Sequence, residues 1–382
     1  MRIRDIGIRI GRGTPGPLNS ITDVPGVRVG HRTVIEKKGT VSIQTGVTVI
    51  EPRAGLARLD PCFAGCHVLN GNGDATGLEW IREAGLLTTP IAFTNTHSVG
   101  VVRDALVQAE RASTGAHRYW CMPVVLETFD GLLNDIWGQH VTAAHVHDAL
   151  AAARGGPVAE GCVGGGTGMI CHEFKGGIGT ASRRLAADDG GWTVGALVQA
   201  NYGRRDALRV AGYPVGEVLG DVPSPFGPRD AGVPGMGSIV VALATDAPLL
   251  PHQCTQIAHR AGVGLARVGG GTEYSSGDIF VAFSVGNDGI PPADYGTRSA
   301  PLTTVRTVNQ DFMTPLFAAA ADAVEEAILN ALVAATDAEG QGVHVSALGA
   351  SRLLSALEQV GWRPGAPHAP LPADIMRLDN RL

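Results

Sequence analysis

A serine heads one of the most apolar runs in this chain, and its surroundings suggest chemistry. Pro234-Gly235-Met236-Gly237-Ser238 leads straight into Ile239-Val240-Val241-Ala242-Leu243-Ala244. Upstream, residues 203–237 hold Pro214, Pro223, Pro225, Pro228 and Pro234 with glycines between them, which predicts a long loop. Loops of that length inside a folded chain are usually functional or disordered. Cleavage between Gly237 and Ser238 would give Ser238 a free α-amine beside its own hydroxyl, so that one residue supplies both base and nucleophile. A plain turn before a strand has the same local sequence, and the rest of the chain must decide.

Three other places carry reactive groups. Ser276-Gly277-Asp278 precedes the apolar run that starts at Ile279. A carboxylate behind a hydroxyl can orient it and stabilise a transient positive charge, although Ser-Gly-Asp also makes an ordinary polar turn. Asn201 closes the run Val194–Ala200. Its amide could donate to an oxyanion, a contribution of roughly 3 to 4 kcal/mol, or simply form a turn. Glu127 follows Pro123–Leu126, which predicts a strand end near the core, with a surface carboxylate as the alternative.

Other residues invite readings that their spacing does not support. Gly164-Gly165-Gly166-Thr167-Gly168 lacks both the Gly-Lys-Ser/Thr ending and the dinucleotide spacing of phosphate loops. Gly269-Gly270-Gly271-Thr272 reads as a place where backbones approach closely. His145 and His147 are two apart in a predicted helix and do not share a face, which argues against a metal. The twelve histidines leave a Ser-His-Asp triad open by count alone.

The elements that must position these groups alternate. Helices are predicted over Ala75–Ala84, Thr142–Arg154, His252–Arg267, Pro315–Ala335 and Ser346–Val360, with Thr314 as N-cap and Pro315 at the first helical position of the fourth. Strands are predicted over Val47–Ile50, Thr89–Phe93, Val194–Ala200, Ser238–Ala244 and Ile279–Val285. These strands are apolar on both faces, which implies cover on both sides, and the interleaving with helices gives a layered α/β domain.

Composition narrows the class. With 382 residues and 44% hydrophobic content the chain can build a large core, as one big domain or two. A charged fraction of 17% suits an enzyme buried in an oligomer. Net charge of −6 and a pI near 6.0 argue against nucleic acid as a partner. Met1-Arg2-Ile3-Arg4-Asp5-Ile6 shows no apolar signal segment. Leu316–Ala335 carries Asp322, Glu325 and Glu326, against a membrane span; the expected location is the cytoplasm. Cysteines at 62, 66, 121, 162, 171 and 254 then read as buried free thiols.

The chain resembles the DmpA-type aminopeptidases, which include L-aminopeptidase/D-esterase and β-aminopeptidase enzymes, over nearly its full length. The resemblance rests on the order and spacing of several stretches. These are Ile21-Thr22-Asp23-Val24-Pro25-Gly26-Val27-Arg28-Val29-Gly30-His31, Asn70-Gly71-Asn72-Gly73-Asp74-Ala75-Thr76-Gly77 and Pro123-Val124-Val125-Leu126-Glu127-Thr128-Phe129-Asp130-Gly131. Phe174-Lys175-Gly176-Gly177-Ile178-Gly179, Val198-Gln199-Ala200-Asn201-Tyr202-Gly203 and Gly237-Ser238 come next in order. Ala244-Thr245-Asp246-Ala247-Pro248-Leu249 and Ser275-Ser276-Gly277-Asp278-Ile279-Phe280 complete the series.

That resemblance implies a four-layer αββα sandwich, similar to N-terminal-nucleophile hydrolases but connected differently. It implies one co-folded domain cut into 1–237 and 238–382, with Ser238 as nucleophile. Ser276 and Asp278 would contact it, Asn201 would bind the oxyanion, and Glu127 would hold the substrate ammonium. Phe129 stands where some members have tyrosine, so a phenolic hydroxyl that can help at the oxyanion is missing. Peptides or amino-acid amides would be substrates, no cofactor or metal would be needed, and processed heterodimers would assemble into a homo-oligomer. The alternatives are an ornithine acetyltransferase-like acyl transferase, a type that uses threonine, and an uncleaved, non-catalytic oligomeric binding protein.

Overall fold

The strands that read as apolar throughout are covered on both faces, and the layers emerge from which residue meets which neighbour. The structure is a computed structural model and describes residues 1–114, 120–226, 237–291 and 300–364. Pro234, Gly235 and Met236 lie outside the described residues.

The chain first lays down an antiparallel pair, β1 (Arg28–Lys38) and β2 (Val41–Glu51), then β3 (Cys62–Gly71) and α1 (Leu78–Ala84). β4 (Leu86–Leu87) and β5 (Ile91–Asn95) come after these, and α2 (Val99–Thr114) crosses over to β6 (Val124–Thr128), parallel to β5. Next come α3 (Ala143–Ala151), a small hairpin of β7 (Ile170–Cys171) and β8 (Phe174–Lys175), then β9 (Gly177–Arg184) and β10 (Thr193–Asn201). β11 (Gly237–Thr245) and β12 (Ser276–Ser284) are parallel and joined through α4 (Pro251–Val268), since parallel neighbours need a crossover. The rest is α5 (Met313–Ala334), the hairpin β13 (Ala338–Gly340) with β14 (Val343–Val345), and α6 (Ala350–Gln359).

Two sheets result, one in the order β4-β3-β12-β11-β10-β9 and one in the order β1-β2-β5-β6. Side chains alternate across a strand, so β11 serves two cores. Ile239, Val241 and Leu243 pack with Ile257 and Leu265 of α4, Val324 and Ile328 of α5 and Leu353 of α6. Val240, Ala242 and Ala244 meet Ile50, Ile91, Phe93 and Leu126 of the other sheet. The far face of that sheet, with Val47, Val49, Ala92 and Val125, is closed by Val102 and Leu106 of α2 and Val146 and Ala149 of α3. The order is helix, sheet, sheet, helix: the four-layer sandwich. Each large apolar side chain, fully buried, contributes about 1.5 to 3 kcal/mol, which is why both faces of the central strands are apolar.

Several expectations need correction. The predicted loop is not open up to residue 226: Leu208, Val210, Tyr213, Val215 and Leu219 are buried in the helix-side core, in and around short helical turns at Arg205–Ala207 and Val215–Val218. Proline and glycine signal the absence of regular structure, not of packing. α5 begins at Met313 after a turn at Gln310–Phe312, so Phe312 rather than Thr314 is its N-cap, and Pro315 still falls in the first turn. The acids within α5 are paired: Glu326 with Arg183 at 2.6 Å and Arg4 at 2.7 Å, Asp322 with Arg267 at 2.7 Å. Among the described residues no helix is long and apolar enough to cross a membrane. All six cysteines are free, but only Cys62, Cys66, Cys171 and Cys254 are buried; Cys121 and Cys162 are half-buried.

Candidate active site

Strand register gathers the reactive groups. The antiparallel pairing of β10 with β11 sets Asn201 opposite Ser238, and the parallel pairing of β11 with β12 sets Gly277 beside it. Ser276-Gly277-Asp278 is therefore the first stretch of β12, not a turn ahead of it. The period of two in a strand puts Ser276 and Asp278 on one face, where the Ser276 hydroxyl donates to Asp278 Oδ1 at 2.6 Å. The Ser238 hydroxyl donates to the Gly237 carbonyl at 2.7 Å, and its Oγ accepts from the Gly277 N–H at 3.3 Å. Ser276 and Asp278 were expected to contact Ser238; the bridge between them is this Gly277 backbone.

The glycines here answer to crowding. A Cβ on Gly237 would fall 2.5 Å from the Asn201 carbonyl oxygen, and one on Gly277 would fall 2.6 Å from that of Asn72. Gly237 is extended strand, so glycine is required by the close approach of β10 rather than by an unusual φ.

Ser238, Gly237, Asn201, Glu127 and Phe129 all line one cavity of about 880 Å³. Asn201 Oδ1 accepts from the Ile170 N–H at 2.8 Å, which fixes the amide, and its Nδ2 makes no hydrogen bond among the described residues. Burial pushes the Asp278 carboxyl up to about 6, against the Ser276 hydroxyl, which favours the ionised form. Asp278 Oδ2 has no partner among the described residues.

The facing wall belongs to the four-stranded sheet. Glu127, the last residue but one of β6, is buried; its Oε1 accepts from the Asp74 N–H at 2.8 Å and its Oε2 from the Thr96 hydroxyl. Burial holds its carboxyl above the ordinary range even so. Phe129 is 43% exposed, and its ring lies where a Gly131 side chain would be. Leu132, Ile170 and Phe226 complete an apolar side of the cavity.

A serine hydroxyl, an amide and a buried carboxylate around one cavity suit attack on the carbonyl of a cationic substrate. Relatives agree. Residues 19–346 match Peptidase family S58. The chain belongs to that family. This S58 chain is 47% identical over 354 residues to the β-peptidyl aminopeptidase BapA of Sphingosinicella microcystinivorans, covering 89% of this chain and 87% of that one. The solved β-aminopeptidase of a Burkholderia species shares 73% identity at a TM-score of 0.91, over 95% of this chain and 100% of its own. The L-aminopeptidase D-Ala-esterase/amidase of Ochrobactrum anthropi is described as a prototype for the serine aminopeptidases and a variant of the Ntn hydrolase fold. It superposes with a TM-score of 0.85 at 43% identity, over 94% of this chain and 99% of that one. The S58 chain is a serine aminopeptidase, and neither the acyl transferase nor the non-catalytic alternative is favoured.

Within the S58 site, four contributors escaped the sequence. The N–H groups of Asp74, Ile170 and Gly277 have no residue signature, because any residue but proline offers one. Thr96 had a faint one, as a hydroxyl residue just past the strand that pairs in parallel with β6. His145 Nδ1 accepts from the Thr142 N–H at 3.3 Å and caps its own helix. Gly164 lies against Thr48 and His31, Gly165 against the Phe93 carbonyl and Gln199, and Gly166 against the Ile178 N–H. Among the described residues no three His, Cys, Asp or Glu side chains are grouped to hold a metal.

Proposed function

We propose that Ser238 is the nucleophile of a self-processing aminopeptidase, released as a new N-terminus by cleavage of the Gly237–Ser238 bond. One observation carries this reading: the Ser238 hydroxyl already bonds the carbonyl of the bond to be cut, at 2.7 Å, in the same cavity as Asn201 and Glu127. In maturation Ser238 Oγ adds to the Gly237 carbonyl carbon, the C–N bond breaks as the amide nitrogen takes up a proton, and an ester remains. Water hydrolyses that ester, leaving a carboxylate on Gly237 and a free amine and hydroxyl on Ser238. The products are chains 1–237 and 238–382 of one co-folded domain.

In turnover the Ser238 hydroxyl attacks the carbonyl of the substrate's N-terminal residue. An α-amine titrates ordinarily near 7.7 to 8.0, so the Ser238 amine can take the hydroxyl proton and pass it to the leaving amine. Asn201 Nδ2 donates to the oxyanion, Glu127 binds the substrate ammonium, and water releases the acyl group. Before cleavage the Ser238 amine is tied in the peptide bond, so another group must assist the first cut, and Asp278 with Ser276, flanking the Gly277 whose N–H donates to Ser238 Oγ, is the candidate. The 73% identity to a protein named β-aminopeptidase supports β-amino residues among the substrates. The low charged content fits assembly of processed pairs into a homo-oligomer.

Intact-mass measurement of purified protein tests the reading. Wild type should give fragments 1–237 and 238–382, and Ser238→Ala should stay a single inactive chain. A cleaved alanine variant would show that an outside protease makes the cut.

A further inference from the structure

One buried charge has no part in the reaction so far. Lys175, at the end of β8, is completely buried. Its Nζ donates to the carbonyls of Met169 at 2.8 Å, Gly176 at 3.0 Å and Gly166 at 3.4 Å. Three acceptors match the three N–H bonds of an ammonium group. A lysine stem of this length in a core costs desolvation that an apolar side chain would avoid, so the position asks for a reason.

The Met169 carbonyl supplies one. It belongs to the same peptide group as the Ile170 N–H, and that N–H donates to Asn201 Oδ1 at 2.8 Å. A continuous chain of hydrogen bonds therefore runs from the Lys175 ammonium through the 169–170 peptide to the Asn201 amide. Its free end is Asn201 Nδ2, on the cavity beside Ser238. Hydrogen bonds in series polarise one another inside a protein. A cation at the carbonyl end draws electron density along the relay and makes the last N–H a stronger donor. The hairpin is also held in place: the Gly176 N–H donates to the Met169 carbonyl at 2.8 Å and the His172 N–H to the Tyr202 carbonyl, next to Asn201, at 2.7 Å.

We propose that Lys175 is a positioning residue, the charged end of a relay that aims and strengthens Asn201 as the oxyanion donor. The proposal rests on Asn201 having that role, and it gives the Phe174-Lys175-Gly176-Gly177 stretch a function in the site.

The test is a double-mutant cycle on kcat, expressed per processed chain with the processed fraction read by mass. Loss of one oxyanion donor lowers kcat by about a hundredfold to a thousandfold, and Asn201→Ala should do so. Lys175→Met, which keeps the volume and drops the charge, should lower kcat by about tenfold to a hundredfold with KM within twofold. In the Asn201→Ala background it should cost nothing further, because groups acting through one another are not additive. Multiplying losses, or wild-type kcat in Lys175→Met, would overturn the relay. If Lys175→Met does not fold, Lys175→Gln keeps two donors and runs the same cycle; failure of both to fold would assign Lys175 to stability and overturn the positioning role. An Asn201→Ala variant with unchanged kcat would instead sink the oxyanion reading on which the proposal stands.

Discussion

Both sheets bring a parallel strand pair to the cavity, but they meet it from opposite ends. In the six-stranded sheet the first residues of β11 and Ser275, just ahead of β12, line it, together with Asn201, the last residue of the antiparallel β10. Ser238, Gly277 and Asn201 are consequently fixed by ladder register, and moving one would require moving a strand. In the four-stranded sheet the cavity is reached by Glu127 near the end of β6, by Thr96 just beyond β5 and by Phe129 just beyond β6. These are held by side-chain bonds and loop packing. The difference teaches where precision is needed. Bond making tolerates little displacement, whereas holding an ammonium and accommodating a side chain allow more freedom. On the proposed function, the first sheet should control kcat and processing, and the second should control which substrate is taken.

Glu127→Gln is the strongest way to break that division. Removing one partner of a buried charge pair typically costs about 3 to 5 kcal/mol, so kcat/KM on free amino-acid amides should fall by about a hundredfold to several thousandfold. On the proposed function the Glu127 carboxylate takes no part in cutting the Gly237–Ser238 bond, and the variant should mature fully by mass. N-acetylated substrates, expected to be poor for the wild type, should be no worse. An unprocessed variant would show that the recognition wall also serves the chemistry of maturation.

Asp278→Asn probes the other sheet, with a smaller effect and a defined pH signature. Burial raises this carboxyl from 3.8 to about 6, so it is ionised in the folded protein only above that pH. A reaction needing the carboxylate should speed up as pH rises through about 6, and the variant should lose this limb while maturing and turning over more slowly. Stability runs the opposite way. A raised native value means the contribution to stability is complete below the unfolded value and lost as pH rises through the folded one. Relative to wild type, Asp278→Asn should thus gain up to about 3 kcal/mol near pH 8 and nothing near pH 3 in denaturant melts. If the acidic limb persists in the variant, Asp278 is not on the proton path.

How much of this is legible in the sequence depends on what kind of group carries the role. Ser238, Asn201 and Glu127 stand next to long apolar runs, and strand ends are where a buried run meets the surface, so their places can be read. Asp278 is misplaced by one element boundary, because glycine and aspartate are depleted in strands and the register that places them there is tertiary. α2 escapes although Val99, Val102, Ala105 and Leu106 make its buried stripe; its interspersed Arg103, Asp104, Glu110 and Arg111 dilute the signal. β1 escapes for a related reason: its last four residues are exposed, and the strand is defined by its partner β2 more than by its own composition. The relay through the 169–170 peptide cannot be read from residue types at all, since backbone donors are anonymous.

Phe129→Tyr gives the smallest effect and the finest discrimination. Phe129 lies just past β6 and so belongs to the recognition wall, yet its exposed ring shares the cavity with Asn201. A hydroxyl added at the ring tip brings an O–H donor to a site where the present chain offers an amide and backbone groups. A second donor beside Asn201 Nδ2 would relieve part of the charge on the oxyanion, but a flexible hydroxyl at a half-exposed rim is worth less than an amide fixed by the Ile170 N–H. The expected outcome is a rise in kcat of about twofold to fivefold with KM unchanged, modest because a net hydrogen bond in partial contact with water contributes about 0.5 to 1 kcal/mol. Steady-state kinetics on one amide substrate in both proteins measures it. A change confined to KM would mean that the ring only shapes the space for the acyl group, and the division between the two sheets would then be complete. A rise in kcat means that one residue of the recognition wall can be drawn into the chemistry, and that phenylalanine here leaves Asn201 to act with backbone help alone.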